Sequence, residues 1–159
     1  KHVRDTSDED AVRDYLEKLL NREAFDQKGL IYGMGHAVYS ISDPRAVLLK
    51  ELAGELVAEK GCQKEFAFLE LIEQRAIECF KKVKGIKKQV CANVDLYSGF
   101  IYEMMGLPHE IYTPLFAMAR IVGWTAHRIE ELNFEGRRII RPAYKNVLEE
   151  VDYTPISER

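Results

Sequence analysis

Four ionisable side chains lie in unusually apolar or glycine-rich stretches of this chain: His36, Arg45, Asp95 and Arg120. His36 follows the segment Gly33-Met34-Gly35, in which the two glycines let the backbone approach a ligand closely. An imidazole and a carboxylate can move a proton, and two guanidinium groups can hold carboxylates in paired hydrogen bonds. Together these side chains predict a site that binds a small polycarboxylate and carries out acid–base chemistry.

Each of these residues also has a simpler structural interpretation. His36 could cap the turn around it, and Arg45 could be solvated or pair with Asp43. Asp95 could be the N-cap of a helix, or instead a part-buried general base. Arg120 could pair with a carboxylate of the protein rather than of a ligand, because an unpaired buried charge is very costly. The residue types alone leave both sets of alternatives open.

A run of lysines is a further candidate site. It is either a solvated face or a phosphate-binding patch, and it comprises Lys81, Lys82, Lys84, Lys87 and Lys88.

Composition excludes several classes of protein. The 159 residues carry a net charge of −3, which argues against a nucleic-acid partner. No apolar run approaches the length of a membrane span, and no signal-peptide pattern is visible. Cys62, Cys79 and Cys91 lack CxxC spacing, which favours reduced thiols over a metal site. We therefore expect a cytoplasmic protein with no metal, no nucleic acid and no membrane contact.

Apolar spacing predicts helices throughout and no confident strand, so the predicted class is all-α. The second helix has clear signals at both ends, because Ser42-Asp43-Pro44 is a strong helix start and Gly61 a strong stop. A glycine-containing loop is expected from Gly29 to Ile41, and an extended tail after Phe134. The five predicted helices cover about residues 8–23, 43–60, 66–80, 94–106 and 112–132.

The fifth predicted helix is apolar on nearly all sides from Leu115 to Trp124. Such a helix is normally buried. So few helices cannot comfortably cover it, and a large apolar patch implies a partner. We therefore expect this helix to pack against a second copy or another domain.

Four sequence motifs occur in an order that resembles the C-terminal half of citrate synthase, including 2-methylcitrate synthase. They are GMGHAVYSISDPRA at 33–46, NVDLYSGF at 93–100, YTPLFAMARIVGWTAHRIEE at 112–131 and, more weakly, RIIRP at 138–142. The resemblance implies the multi-helical small domain of that fold over residues 1–106. It also implies, for residues 107–159, a long apolar helix and an extended tail that belong to the large domain and the dimer interface.

The resemblance also implies a role for each matching residue. His36 would polarise the carbonyl of oxaloacetate, and Asp95 would take a proton from the methyl group of acetyl-CoA. The carboxylates of oxaloacetate would be held by arginines, one of them lent by the second subunit of a homodimer, and an aromatic residue would line the same pocket. Arg45 and Arg120 would hold the carboxylates, Arg141 would be the arginine lent by the second subunit, and Phe116 would be the aromatic residue.

CoA is implied as a substrate rather than as a permanently bound cofactor. The loop that would cradle its adenine contains Leu30, Ile31, Gly33, Met34 and Gly35. Asn93 is a further candidate contact, and Lys87 and Lys88 match loosely to a basic stretch that meets the CoA phosphates.

One departure from the family is large. Its members use a further histidine in a Gly-Pro-Leu-His-Gly-like motif, and the 159 residues contain no such motif. The implied function is therefore that of a C-terminal part of an enzyme that condenses acetyl-CoA, oxaloacetate and water to citrate and CoA, with the chain alone expected to be inactive. The alternatives are a 2-methylcitrate synthase that uses propionyl-CoA, more remotely a citryl-CoA-cleaving enzyme, and a non-catalytic helical binding module.

Overall fold

A computed structural model describes residues 5–85, 89–136 and 149–159 of the chain. It contains six α-helices within these ranges, and no strand is assigned there. One isolated antiparallel bridge joins Met34 to Ala92. The prediction of an all-α fold is confirmed. The helices are α1 (Glu9–Leu20), α2 (Pro44–Lys60), α3 (Gln63–Lys84), α4 (Val94–Met104), α5 (Tyr112–Met118) and α6 (Ile121–Asn133), with short 3-10 turns at His109–Ile111 and Ile156–Glu158.

The chain divides into two compact units, the first ending at Leu115 and the second beginning at Phe116. The division into domains at residues 106 and 107 stays a prediction. No helix in the described part is both long enough and apolar enough to span a membrane. Cys62, Cys79 and Cys91 are free thiols.

Helix α2 begins and ends where its local signals predict. The side chain of Asp43 accepts a hydrogen bond from the Arg45 backbone N–H at 3.0 Å, and Pro44 occupies the first helical position. Proline suits that position because its missing N–H would have no intrahelical partner there. At the other end Gly61 adopts a left-handed conformation with φ of 71°. Both ends of α2 are therefore determined by residues at those ends.

The core of the first unit lies where α1 meets α3 and where α2 meets α4. Helix α1 buries one stripe, Val12, Leu16 and Leu20, at the four-residue spacing that keeps side chains on one face. Ala76 and Cys79 of α3 are buried in the same core, as is Tyr97 of α4. The loop before α2 joins this core through Ile31 and Met34. The loop is thereby fixed against the helices at two points.

The prediction of one continuous fifth helix is wrong, because the chain breaks between α5 and α6. The Arg120 N–H donates to Ala117 O at 2.9 Å rather than to the carbonyl of Phe116. The Arg120 guanidinium donates to that Phe116 carbonyl instead, at 3.3 Å between Nη1 and O. Arg120 therefore stands at the N-cap of α6 and not inside a helix.

The apolar segment is exposed among the described residues, and its expected packing against a second copy or another domain stays a prediction. Met118 is 61% exposed, Val122 81% and Trp124 57%. None of the described residues of the second unit is buried. The described residues from 149 onward show no helix apart from the final 3-10 turn, and the first part of the predicted extended tail, 137–148, lies outside the described residues.

Candidate active site

The glycine-containing loop is clamped to the segment that leads into α4. The Gly35 N–H donates to Cys91 O at 2.8 Å, and the Asn93 N–H donates to Gly33 O at 2.9 Å. The Asn93 side chain adds a third bond, from Nδ2 to Gly35 O at 2.9 Å. These bonds join residues far apart in the sequence and hold His36 close to the start of α4.

Only glycine suits position 33 in this clamp. Its φ is +83°, and a Cβ added there would lie 2.8 Å from Leu96 Cδ1 and 3.1 Å from Leu96 Cα. L-residues with side chains rarely adopt that φ, and contacts this short require the neighbour to move. The glycine therefore lets the loop backbone lie directly against α4.

The imidazole of His36 caps the turn that follows it. Its Nδ1 accepts hydrogen bonds from the N–H groups of Val38 and Tyr39, both at 3.1 Å. A nitrogen that accepts cannot also carry the proton, so in the neutral ring the proton lies on Nε2. The Tyr39 ring packs beside the imidazole with centroids 4.9 Å apart. Backbone capping thus leaves Nε2–H of His36 available as a donor.

Arg45 lies next to that donor. Its Nη2 is 3.3 Å from His36 Nε2. Both atoms are donors in this tautomer, so they do not satisfy each other, whereas one acceptor oxygen at hydrogen-bond distance from each of them would satisfy both. The described residues supply no such oxygen for His36 Nε2. The pair is therefore arranged to receive a carbonyl or carboxylate oxygen.

Asp43 orients the Arg45 side chain in that arrangement. The guanidinium donates from Nε to Asp43 Oδ1 at 3.0 Å and from Nη2 to Oδ2 at 2.8 Å. Asp43 is only 1% exposed. These hydrogen bonds from Arg45 lower the pKa of the Asp43 carboxyl and raise the pKa of the guanidinium, in each case outweighing the opposing effect of burial. The ion pair between Arg45 and Asp43, one of the structural alternatives considered for Arg45, is therefore observed. This pair leaves one side of the guanidinium facing His36.

Asp95 is on the first turn of α4 and is exposed. It is not the helix cap, because Asn93 holds that position and its Oδ1 accepts from the Asp95 N–H at 3.0 Å. The part-buried environment considered for Asp95 is likewise not found. The Asp95 charge does raise the pKa of Arg45, as a smaller effect than that of Asp43. The structure therefore brings His36, Arg45 and Asp95 into one neighbourhood of the first unit.

Arg120 and Phe116 contact each other within the second unit. The Arg120 Cζ lies 3.2 Å from the centroid of the Phe116 ring. No carboxylate pairs with Arg120 in the described ranges, so the predicted alternative of a protein partner is not observed there. Arg141, Lys87 and Lys88 lie outside the described residues.

Two of the remaining lysines of the basic run have structural contacts. Lys82 pairs with Glu17 at 2.7 Å, and Lys84 donates to the carbonyl of Leu20 at 2.8 Å. Both contacts tie α3 to α1.

The residues expected to contact CoA differ in exposure. Leu30 is exposed, whereas Ile31 and Met34 are buried. Leu30 and Ile31 also line an apolar cavity of about 350 Å³ between the loop and α1. Ile31 and Met34 hold the loop to the core, so the side chain of Leu30 and the loop backbone are the parts that could meet a ligand. Tyr39 was not among the predicted site residues, although its ring lies against the His36 imidazole and its position three residues after His36 was visible in the sequence.

A family model described as the C-terminal domain of citrate synthase matches residues 1–143. The chain belongs to the citrate synthase family. Its similarity to citrate synthase of Synechocystis is 38% identity over 93% of the chain and 34% of that protein. Its similarity to 2-methylcitrate synthase of Shewanella oneidensis is 34% identity over 99% of the chain and 36% of that protein. The chain thus spans about a third of the length of these family members.

The fold also matches a solved member of the citrate synthase family. That structure is the ternary complex of the Thermoplasma acidophilum citrate synthase with carboxymethyl-CoA and oxaloacetate. The TM-score is 0.62 at 35% identity, with 97% of this chain and 40% of that chain covered. The helical architecture is therefore that of a citrate synthase.

Proposed function

We propose that the protein containing this chain condenses acetyl-CoA with oxaloacetate and water to citrate and CoA. The observation that carries this proposal is the arrangement of His36 Nε2 and Arg45 Nη2, 3.3 Å apart and both donors, with the Asp95 charge acting on the same guanidinium. Two adjacent donors suit the oxygens of a keto acid, and a nearby carboxylate suits a general base.

Each residue has a defined part in the proposed reaction. Asp95 takes a proton from the methyl group of acetyl-CoA, and the resulting enolate carbon attacks the ketone carbon of oxaloacetate. Negative charge develops on the ketone oxygen, which accepts a hydrogen bond from His36 Nε2–H. This oxygen then takes up a proton to become a hydroxyl, and Asp95 releases the proton it removed from the methyl group, so the charges and protons balance. Water then cleaves the thioester, giving a carboxylate and the CoA thiol. Arg45 holds a substrate carboxylate throughout.

Further residues complete the proposed substrate contacts. Arg120 binds another carboxylate of oxaloacetate, Phe116 lines that pocket, and Arg141 serves the partner subunit of a homodimer. The loop from Leu30 to Gly35 meets the adenine of CoA, with Lys87 and Lys88 near its phosphates. Asn93, which already caps α4 and clamps the loop, supports that CoA-binding loop.

The test uses the longest reading frame that contains this chain. CoA release from acetyl-CoA should depend on oxaloacetate, and Asp95→Ala should lower kcat by about 10²- to 10⁴-fold, the usual contribution of a positioned base. The dissociation constant for oxaloacetate should change little. The exposed Asp14→Ala on α1 is the matched control and should behave as wild type.

Two outcomes would contradict this function. An Asp95→Ala variant with wild-type kcat would remove the proposed base. Oxaloacetate binding without any CoA release would favour a non-catalytic binding module. The 159-residue chain by itself should release no CoA, because it has no Gly-Pro-Leu-His-Gly-like histidine motif.

A second candidate is condensation of propionyl-CoA to 2-methylcitrate. It is favoured by the similarity to the Shewanella oneidensis 2-methylcitrate synthase over 99% of this chain. One methylene changes binding by only about 1–3 kcal/mol, so a single pocket can accept both thioesters. The ratio of kcat/KM for acetyl-CoA to that for propionyl-CoA distinguishes the two, and a ratio below one would replace the first candidate by the second.

A further inference from the structure

Helices α2 and α4 are linked through one carboxylate on α3. Glu73 Oε2 accepts a hydrogen bond from Lys50 Nζ of α2 at 2.9 Å. The same oxygen accepts from the Tyr97 hydroxyl of α4 at 2.6 Å. Lys50 also pairs with Glu70 at 3.2 Å, which makes α3 the anchor for both neighbours.

This linkage is partly protected from water, and its Lys50 side chain is 33% exposed. Tyr97 is fully buried, and the Glu73 side chain is 21% exposed. Burial, and then the hydrogen bond and charge of Glu73, raise the pKa of the Tyr97 hydroxyl, which therefore stays a donor. For Lys50, burial would lower the pKa, but the hydrogen bonds and charges of Glu73 and Glu70 outweigh it, so the pKa rises and the ammonium stays charged. Partly buried hydrogen bonds to charged groups are stronger than exposed ones.

The two linked helices carry the residues assigned to the chemistry. Arg45 lies at the start of α2 and Asp95 at the start of α4. Asp95 and Tyr97 are two positions apart, which is about 200° around a helix, so the buried Tyr97 and the exposed Asp95 occupy nearly opposite faces. Fixing the Tyr97 hydroxyl therefore fixes the rotation of α4 and the direction in which Asp95 points.

We propose that Glu73 is a positioning residue that sets the place of Asp95 relative to Arg45 by holding Tyr97 and Lys50 on one carboxylate oxygen. This proposal rests on the proposed function of Asp95 and Arg45. Arg45 keeps its own orientation through Asp43, whereas Asp95 has no such partner among the described residues. Loss of Glu73 therefore disturbs the base more than it disturbs the carboxylate-binding group.

A second carboxylate that pairs with a lysine across two helices provides a matched control. Lys82 of α3 pairs with Glu17 of α1 at 2.7 Å, and the Glu17 side chain is 19% exposed, close to the value for Glu73. This ion pair links α3 to α1 and touches neither α2 nor α4. Glu17→Ala removes a carboxylate of the same type and exposure without disturbing the proposed linkage.

The first experiment measures amide hydrogen exchange in the 159-residue chain and does not depend on activity. Glu73→Ala should accelerate exchange of the amides from Asp95 to Ile101 at least tenfold, and Glu17→Ala should leave them unchanged. Glu73→Gln should keep most of the protection, because both hydrogen bonds end on one oxygen and the amide carbonyl can accept both. Unchanged exchange in Glu73→Ala would overturn the proposal.

The second experiment measures kinetics in the longest reading frame that contains this chain, at a temperature where each variant is folded. Glu73→Ala should lower kcat at least tenfold with KM for oxaloacetate within threefold, Glu73→Gln should stay within threefold of wild type, and Glu17→Ala should match it. A purely stabilising residue would leave kcat unchanged under these conditions, and that result would overturn the proposal, as would equal losses in both Glu73 variants.

If Glu73→Ala does not fold, Tyr97→Phe, which removes only the hydroxyl, should lower kcat at least threefold, and an unchanged kcat would overturn the proposal. A wild-type protein without condensing activity would refute the proposed function, while the exchange experiment would still decide whether Glu73 holds α4.

Discussion

At the scale of single residues, Asp43 has two structural tasks in one buried carboxylate. It caps α2 through the Arg45 N–H and orients the Arg45 guanidinium through two further hydrogen bonds. All three hydrogen bonds join Asp43 to Arg45, two positions further along the chain, so both the cap and the orientation of the guanidinium depend on residues close in sequence. An arginine side chain can therefore be positioned by a very short motif, Asp-Pro-Arg.

The pKa of Asp43 predicts how acid affects stability. The hydrogen bonds from Arg45 place the folded pKa of this carboxyl below its ordinary value of 3.8. A lowered folded pKa means that the contribution to the free energy of unfolding is present above pH 3.8 and is lost as the pH falls through the folded value. We expect Asp43→Asn to cost about 2 kcal/mol at neutral pH, because asparagine still caps but no longer forms charged hydrogen bonds.

Urea denaturation across a pH series checks this expectation. The difference between wild type and Asp43→Asn should shrink steadily below about pH 4, as protonation removes the same charge from the wild type. Asp14→Asn on the exposed face of α1 is the control and should leave stability unchanged across the series. A difference that stayed constant down to the lowest pH would contradict the assigned role of Asp43.

Alanine substitutions at two glycines would distinguish the cost of an unfavourable backbone conformation from the cost of a steric clash. Gly33 and Gly61 have similar φ values, +83° and +71°, but an added Cβ meets Leu96 at position 33 and nothing within 4 Å at position 61. Gly61→Ala should cost about 1 kcal/mol from backbone conformation alone. Gly33→Ala should cost a further 1–3 kcal/mol or so for the displaced α4. Chemical denaturation of both variants measures the difference, and equal costs would show that the close approach of the loop to α4 carries no energy.

At the scale of elements, Asn93 connects a helix start to a loop. Its Oδ1 caps α4 at the Asp95 N–H, and its Nδ2 donates to Gly35 O. Capping is a local interaction, whereas the bond to Gly35 spans 58 residues of sequence. The orientation of this one side chain therefore determines both where α4 begins and where the His36 loop lies.

Two substitutions separate these tasks. Asn93→Asp keeps a capping oxygen but replaces the donor to Gly35 by an acceptor, so it should cost about 1–2 kcal/mol and free the loop. Asn93→Ala removes both interactions and should cost about 1 kcal/mol more. Denaturation gives the two costs, and amide exchange at Gly35 and Asn93 reports on the clamp. Protection of these amides equal to wild type in Asn93→Asp would contradict the clamp.

The elements that could be predicted from sequence are those whose ends are determined locally. The start of α2 follows from Asp43 and Pro44 and its end from Gly61, all within one turn of the boundary. The start of α4 near Val94 was also predicted, but its cap was not, because Asn93 and Asp95 are both good caps. Asn93 holds the cap and also donates to the distant Gly35 carbonyl, a contact that local sequence does not reveal. The break before α6 was missed because it depends on the Arg120 side chain replacing a backbone donor at the Phe116 carbonyl.

The candidate site, too, could be predicted only as far as it depends on residues close in sequence. The motif order and the resemblance to citrate synthase identified His36, Arg45 and Asp95 as candidates. The tautomer of His36 could not be predicted, because it depends on two backbone N–H groups that only the folded turn directs at Nδ1. The linkage through Glu73 was also invisible, since it joins Lys50 and Tyr97 from two other helices to α3.

At the scale of the whole molecule, an apolar segment of the second unit has no cover among the described residues. It runs from Phe116 to Trp124 and includes Met118, Ile121 and Val122, all of them exposed. Contiguous exposed apolar surface of this kind usually marks a site of association. Exposed apolar residues also occur outside this segment, and Val151, which is 85% exposed, is one of them.

We therefore expect the 159-residue chain to self-associate through this segment. In sedimentation velocity the weight-average sedimentation coefficient should rise as the concentration is raised over about two orders of magnitude, since association follows mass action. Trp124→Glu should suppress the rise, because it places a charge within the apolar contact while keeping a good helix former in α6. Val151→Glu, which adds the same charge outside the segment, should leave the rise unchanged. A single monomeric species of wild type at every concentration would contradict the prediction, and equal suppression by both variants would mean that net charge, and not this apolar segment, controls association.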